Sequence, residues 1–213
     1  MDKLDEYYKF LAEKQTAVHD SGFEIADEDL NPKLFTFQRY CVKRALKTGR
    51  FAMFEDCGLG KTFQQLEWAY QVQKHINRPV LILAPLGVIG QTIKEGEHFG
   101  YEVKEIGLTV FDQDLKAGIY ITNYDNMENI DAYLFGGVVL DESSILKNFA
   151  GKTRTALIED FKDTPYKLCC TATPSPNDTT ELCNHAEFLN VMTRNEMLAM
   201  YFVHDGGSTS DWR

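Results

Sequence analysis

A chain of 213 residues, 44% hydrophobic and 25% charged, is long enough to bury a sizeable core as one large domain or two small ones. Its formal charge of −10, from 22 basic and 32 acidic residues, excludes a whole-chain basic field, though not a local basic groove. No apolar run approaches the ~20 residues of a membrane span, and the charged start lacks a signal peptide's apolar core, so no membrane contact is expected.

In chain order, residues 4–16 read as a polar amphipathic helix, followed by a loop through the acidic stretch Asp27-Glu28-Asp29. Helical pattern returns at 35–46. The stretch 33–50 carries Lys33, Arg39, Lys43, Arg44, Lys47 and Arg50 with no acid, which suits either a solvated basic face or a nucleic-acid contact. Strand and helix then alternate. Strands are expected at 51–54, 79–84, 101–106, 118–122, 136–140 and 166–171, and helices at 61–75, 86–97, 151–162 and 179–189. The runs at 80–84 and 138–140 are continuously apolar, as in strands covered on both faces. This order predicts an α/β fold with a mostly parallel sheet flanked by helices and an N-terminal helical extension. Ligands of such sheets gather beyond the carboxyl ends of the strands. The five cysteines form no CxxC pair, which fits free thiols in a cytoplasm, and no ligand spacing supports a metal site from His98, Cys183 and His185.

The turn Glu55-Asp56-Cys57-Gly58-Leu59-Gly60-Lys61-Thr62 joins an expected strand to an expected helix. The backbone N–H groups of such a turn form a nest for phosphate oxygens. Lys61 would reach the β- and γ-phosphates and Thr62 would hold Mg²⁺, with Gly58, Leu59 and Gly60 in the cradle. A strict P-loop has glycine where Glu55 stands. The run at 136–140 enters Asp141-Glu142, a metal-side acid followed by an acid able to polarise an attacking water. Trp68 and Tyr70 read as packing residues.

These residues resemble the first RecA-like domain of superfamily 2 helicases of the Snf2-like DEAD/DEAH group, and most closely the short Snf2-like helicases of phages and prophages. The motifs come in the family's order. Phe37-Gln38-Arg39 is similar to the Q-type motif, in which Gln38 would read the adenine edge. Residues 55–62 resemble motif I in its Snf2 form, which has an acid in place of the first glycine. Leu81 to Pro85 resembles motif Ia, Ile121-Thr122-Asn123-Tyr124 motif Ib, Asp141-Glu142-Ser143-Ser144 with Ile145 to Asn148 motif II, and Thr171-Ala172-Thr173-Pro174 motif III.

The resemblance implies an ATP-binding motor domain over residues 35–190 of a DNA-dependent ATPase, with ATP and Mg²⁺ as cofactors and duplex DNA as partner. It implies catalytic roles for Lys61, Asp141 and Glu142. It also implies nucleic-acid or coupling roles for Pro85, Thr122, Tyr124, Ser144, Thr171 and Thr173, Tyr124 serving equally well as a packed aromatic. Where a DEAH protein has Ala and His, this chain has Ser143 and Ser144, which leaves the coupling route open. Family members use two RecA-like domains. Residues 191–213 are expected to form a helix and a tail leading toward a second domain absent from this chain, so that the chain alone would bind Mg·ATP and turn it over slowly. The expected place is the cytoplasm of a bacterium or phage-infected cell. A nucleotide-dependent clamp without catalysis is the alternative, separable by a second RecA-like segment in a neighbouring reading frame. An RNA helicase is a third reading, separable by DNA and RNA stimulation.

Overall fold

The computed structural model describes residues 20–107 and 115–203; the helix expected at 4–16 lies outside the described residues. Six parallel strands form one sheet: β1 (Arg50–Phe54), β2 (Val80–Ala84), β3 (Val103–Glu105), β4 (Ile119–Asn123), β5 (Gly137–Asp141) and β6 (Tyr166–Thr171), in the order β1-β6-β5-β2-β4-β3. The helices are α1 (Thr36–Thr48), α2 (Lys61–Ile76), α3 (Ile89–Phe99), α4 (Lys152–Asp160), α5 (Leu182–Phe188) and α6 (Arg194–Tyr201).

The apolar strands are buried on both faces because side chains alternate across the sheet. Ile82, Val139, Leu168 and Cys170 face a core shared with Val42, Leu46, Leu66, Trp68 and Val72 of α1 and α2. Their strand neighbours Leu81, Leu83, Val138, Leu140 and Cys169 face an opposite core with Leu157, Phe161 and Phe188. Trp68 is fully buried, as its packing role requires, while Tyr70 stays at the edge of the core. All five thiols are free. Between β1 and β2 in the sheet lie β6 and β5, so α2 must cross the sheet face.

The expected elements form, with local differences. Strand 101–106 shortens to Val103–Glu105 because Tyr101 turns into a buried network. Its hydroxyl donates to Glu67 of α2, Asn31 Nδ2 donates to that hydroxyl at 3.0 Å, and Gln71 Nε2 donates to Glu67 at 2.7 Å. This network pins the segment before α1 onto α2. The helix expected from 86 opens as a 3₁₀ turn, Leu86–Val88, where Pro85 and Gly87 disfavour an α start. The one expected from 179 likewise opens as a 3₁₀ turn, Thr179–Glu181, with Asp178 accepting from the Thr180 amide at 2.6 Å. Further 3₁₀ turns, Tyr124–Asn129, Ala132–Leu134 and Ser143–Lys147, sit in the loops. Thr193 and Glu196 form a reciprocal capping box that starts α6.

Candidate nucleotide site and its relatives

The candidate phosphate cradle is built by β1, the turn after it and the start of α2. Gly58 and Gly60 take φ values of 80° and 77°, a region that L side chains rarely adopt. A Cβ at Gly60 would also lie 2.5 Å from Gln38 Nε2. No side chain caps the start of α2, so its first amides are available to an anion. Lys61 Nζ folds back onto its own loop, donating to the carbonyls of Glu55 at 2.8 Å and Asp56 at 2.9 Å. Those carbonyl oxygens stand where phosphate oxygens would compete.

Glu55, the residue that breaks the strict P-loop pattern, is turned away from the cradle. Its carboxylate accepts from Gln64 Nε2 at 2.6 Å, and its amide donates to the Thr171 carbonyl at 3.2 Å. Burial, and then the nearby Glu55 charge, push the Cys41 thiol up to about 11. Glu55 therefore ties the loop to α2 and β6. Gln38, 4% exposed, is held at both ends of its amide: Oε1 accepts from the Phe35 amide at 3.0 Å and Nε2 donates to the Leu59 carbonyl at 2.9 Å. In this arrangement Gln38 braces the cradle, and meeting an adenine edge would require its amide to turn.

At the end of β5 stand the two acids. Burial holds the Asp141 carboxyl above its ordinary value. The nearby Gln65 amide opposes that shift without a formed hydrogen bond, Glu142 adds to it, and Lys61 opposes it. Gln65 lies one turn after Lys61 on the same helix face, a spacing that could have signalled it. A half-buried carboxylate near Lys61, at the end of β5, suits a divalent cation that Thr62 and Asp141 could hold together. A carboxyl that binds its proton more tightly in the folded state than in the unfolded chain costs stability as pH rises through and above its raised value. Asp141→Asn is therefore expected to raise the thermal midpoint at pH 7, with the gain shrinking toward low pH, as read by melting curves across pH.

Glu142 is an exposed residue with φ 58° and ψ 56°, left-handed without being glycine. Its Oε1 accepts from Thr171 Oγ1 at 2.7 Å and from Ser144 Oγ at 2.9 Å. The Thr173 amide donates to Thr171 Oγ1 at 3.0 Å. The segments 141–144 and 171–174 are thus joined through the acid itself, with Ser144 folded back onto it. Pro85, Tyr124, Glu142 and Ser144 line a cavity of about 500 Å³ beyond the ends of β2, β4 and β5.

Two expected residues are less available. Thr122 is 1% exposed, with its hydroxyl donating to the Ile106 carbonyl at 3.2 Å and accepting from Asn126 at 3.1 Å. Tyr124 is half-buried, and its hydroxyl donates to the Asp141 carbonyl at 2.7 Å. Part of the basic face of α1 is paired with the preceding loop: Lys43 pairs with Asp27 at 2.6 Å, and Lys47 with Glu24 at 2.6 Å. His98 lies on α3, Cys183 and His185 on α5, and among the described residues no metal-holding cluster of three or more such side chains forms.

The sequence pattern of the SNF2-related domain matches residues 39–198, most of the chain. The chain belongs to the SNF2-related domain family. A similar phage protein, p41 of Acyrthosiphon pisum secondary endosymbiont phage 1, is 28% identical over 184 residues, 74% of this chain and 40% of p41. The human DNA repair and recombination protein RAD54B is 30% identical over 173 residues, 70% of this chain and 19% of RAD54B. The Sulfolobus solfataricus SWI2/SNF2 ATPase core, solved in complex with dsDNA, shares the fold with a TM-score of 0.68 at 22% identity, over 83% of this chain and 41% of that one. The UvsW helicase of bacteriophage T4 does so with a TM-score of 0.61 at 15% identity. The SNF2-related chain thus spans well under half the length of these two curated relatives. Among the described residues, no helix is long and apolar enough to cross a membrane.

Proposed function

We propose that this chain is the ATP-binding motor domain of a DNA-dependent ATPase that translocates on duplex DNA, hydrolysing ATP to ADP and phosphate when completed by a second RecA-like domain. The observation that carries the proposal is the convergence, at one sheet edge, of an uncapped helix start with Lys61, a half-buried Asp141, and Glu142 held by Thr171. The phosphates would lie on the amides of Gly58 to Thr62, with Lys61 leaving the Glu55 and Asp56 carbonyls to meet them. Thr62 and Asp141 would hold Mg²⁺, which when bound offsets phosphate charge. Glu142 would orient and deprotonate the water that attacks the γ-phosphate, its unclamped oxygen facing that water. Gln38 would report an adenine by exchanging its Leu59 bond.

The Glu142–Thr171 bond links hydrolysis to the residues at 171–174, and the cavity at Pro85, Tyr124 and Ser144 offers the DNA side of that link. A second RecA-like domain would supply an arginine worth on the order of 10³ to 10⁵ in rate. The chain alone should therefore bind Mg·ATP and turn it over slowly, in the cytoplasm of a bacterium or phage-infected cell. Equilibrium titration with ATP tests the reading. Saturable binding that weakens on removing Mg²⁺ is expected; no saturable binding would overturn it, and tight binding without any turnover would favour a clamp.

A further inference from the structure

Glu142 presents its carboxylate from a left-handed backbone that its own side chain disfavours, so its neighbours must hold it there. The residue after it, Ser143, is fully buried, and its Oγ lies 3.1 Å from Nε2 of His185 on α5. His185 is 2% exposed and is walled edge-on by Phe54, the last residue of β1, with ring centroids 5.1 Å apart. Its neighbour Asn184, fully buried, donates Nδ2 to the carbonyls of Leu146 at 2.8 Å and Lys147 at 3.3 Å. Two consecutive side chains of α5 therefore grip both ends of the 3₁₀ turn Ser143–Lys147, while Phe54 sets the ring against the strand that leads into the phosphate cradle.

We infer that His185 is a positioning residue for hydrolysis: through Ser143, and with Asn184 holding the far end of the turn, it fixes the conformation in which Glu142 faces the attacking water. The inference rests on the ATPase reading above. Burial lowers the affinity of the imidazole for a proton, and a neutral ring can share one hydrogen bond with the serine hydroxyl in either tautomer. His185 and Asn184 bond to the turn at 143–147 and not to the loop proposed to hold the phosphates, so their loss should act on the rate and not on binding.

The test compares the parent chain with His185→Leu, His185→Gln and Ser143→Ala. Amide hydrogen exchange over residues 142–148 reads the turn without nucleotide, and steady-state ATP turnover with duplex DNA reads kcat and KM. His185→Leu and Ser143→Ala are expected to speed exchange in this segment by about 10-fold or more with the sheet unchanged. The same variants should lower kcat by about 10-fold or more while KM stays within about 3-fold. His185→Gln, which keeps a bond to Ser143, should restore both. Ser143→Ala carries the comparison if His185→Leu does not fold.

Unchanged exchange in both variants would overturn the inference, and so would faster exchange with parental kcat, or kcat and binding lost together. A parent chain that binds ATP without turnover would favour the clamp and overturn the positioning role with it, a pattern visible before any variant is measured.

Discussion

Replacing Glu142 by Gln is expected to stop turnover while leaving nucleotide binding within about 3-fold of the parent. Glutamine keeps the shape of the side chain, and its carbonyl oxygen can still accept from Thr171 and Ser144, as the carboxylate oxygen does at 2.7 and 2.9 Å. The left-handed backbone and the turn after it should therefore persist. What is lost is the ability to take a proton from water, and removal of a general base costs roughly 10²- to 10⁴-fold. Single-turnover hydrolysis beside an equilibrium titration separates the two effects. Turnover within tenfold of the parent would remove Glu142 from the chemistry.

Lys61→Ala is expected to act on binding. The ammonium makes its two bonds to loop carbonyls in the absence of nucleotide, and a bound triphosphate would exchange them for charged oxygens. Hydrogen bonds to charged groups are worth about 1.5–3 kcal/mol. Affinity for Mg·ATP should accordingly fall by roughly 10- to 150-fold. The fold should hardly notice, because the ammonium sits at the rim of the cradle and anchors no core element. Unchanged affinity in a variant that melts like the parent would place the phosphates elsewhere.

The sheet was legible because its strands at 80–84 and 138–140 have no polar interruption, and only a strand covered on both faces tolerates that. The proposed cradle and the Asp141–Glu142 pair were legible because the phosphate and magnesium chemistry proposed for them would need those residue types at those positions. Glu55 shows where reading by pattern stops. Its place in the motif is visible in the sequence, yet its work, tying the loop to Gln64 and to the end of β6, depends on contacts that only the fold creates.

The same holds for Glu142 with Thr171, 29 residues apart, and for Ser143 with His185, 42 apart. No local propensity marks those partners. Thr122 has the residue type of a backbone contact, but the fold spends its hydroxyl on Ile106. The basic stretch at 33–50 was readable either way because the acids that pair with Lys43, Arg44 and Lys47, namely Asp20, Glu24 and Asp27, come earlier in the chain.

The most direct measurement is ATP hydrolysis by this chain with and without duplex DNA, with Lys61→Ala as control. The account predicts slow turnover that exceeds the Lys61→Ala variant and rises with duplex DNA. Turnover equal in the parent and the variant, with or without DNA, would contradict it.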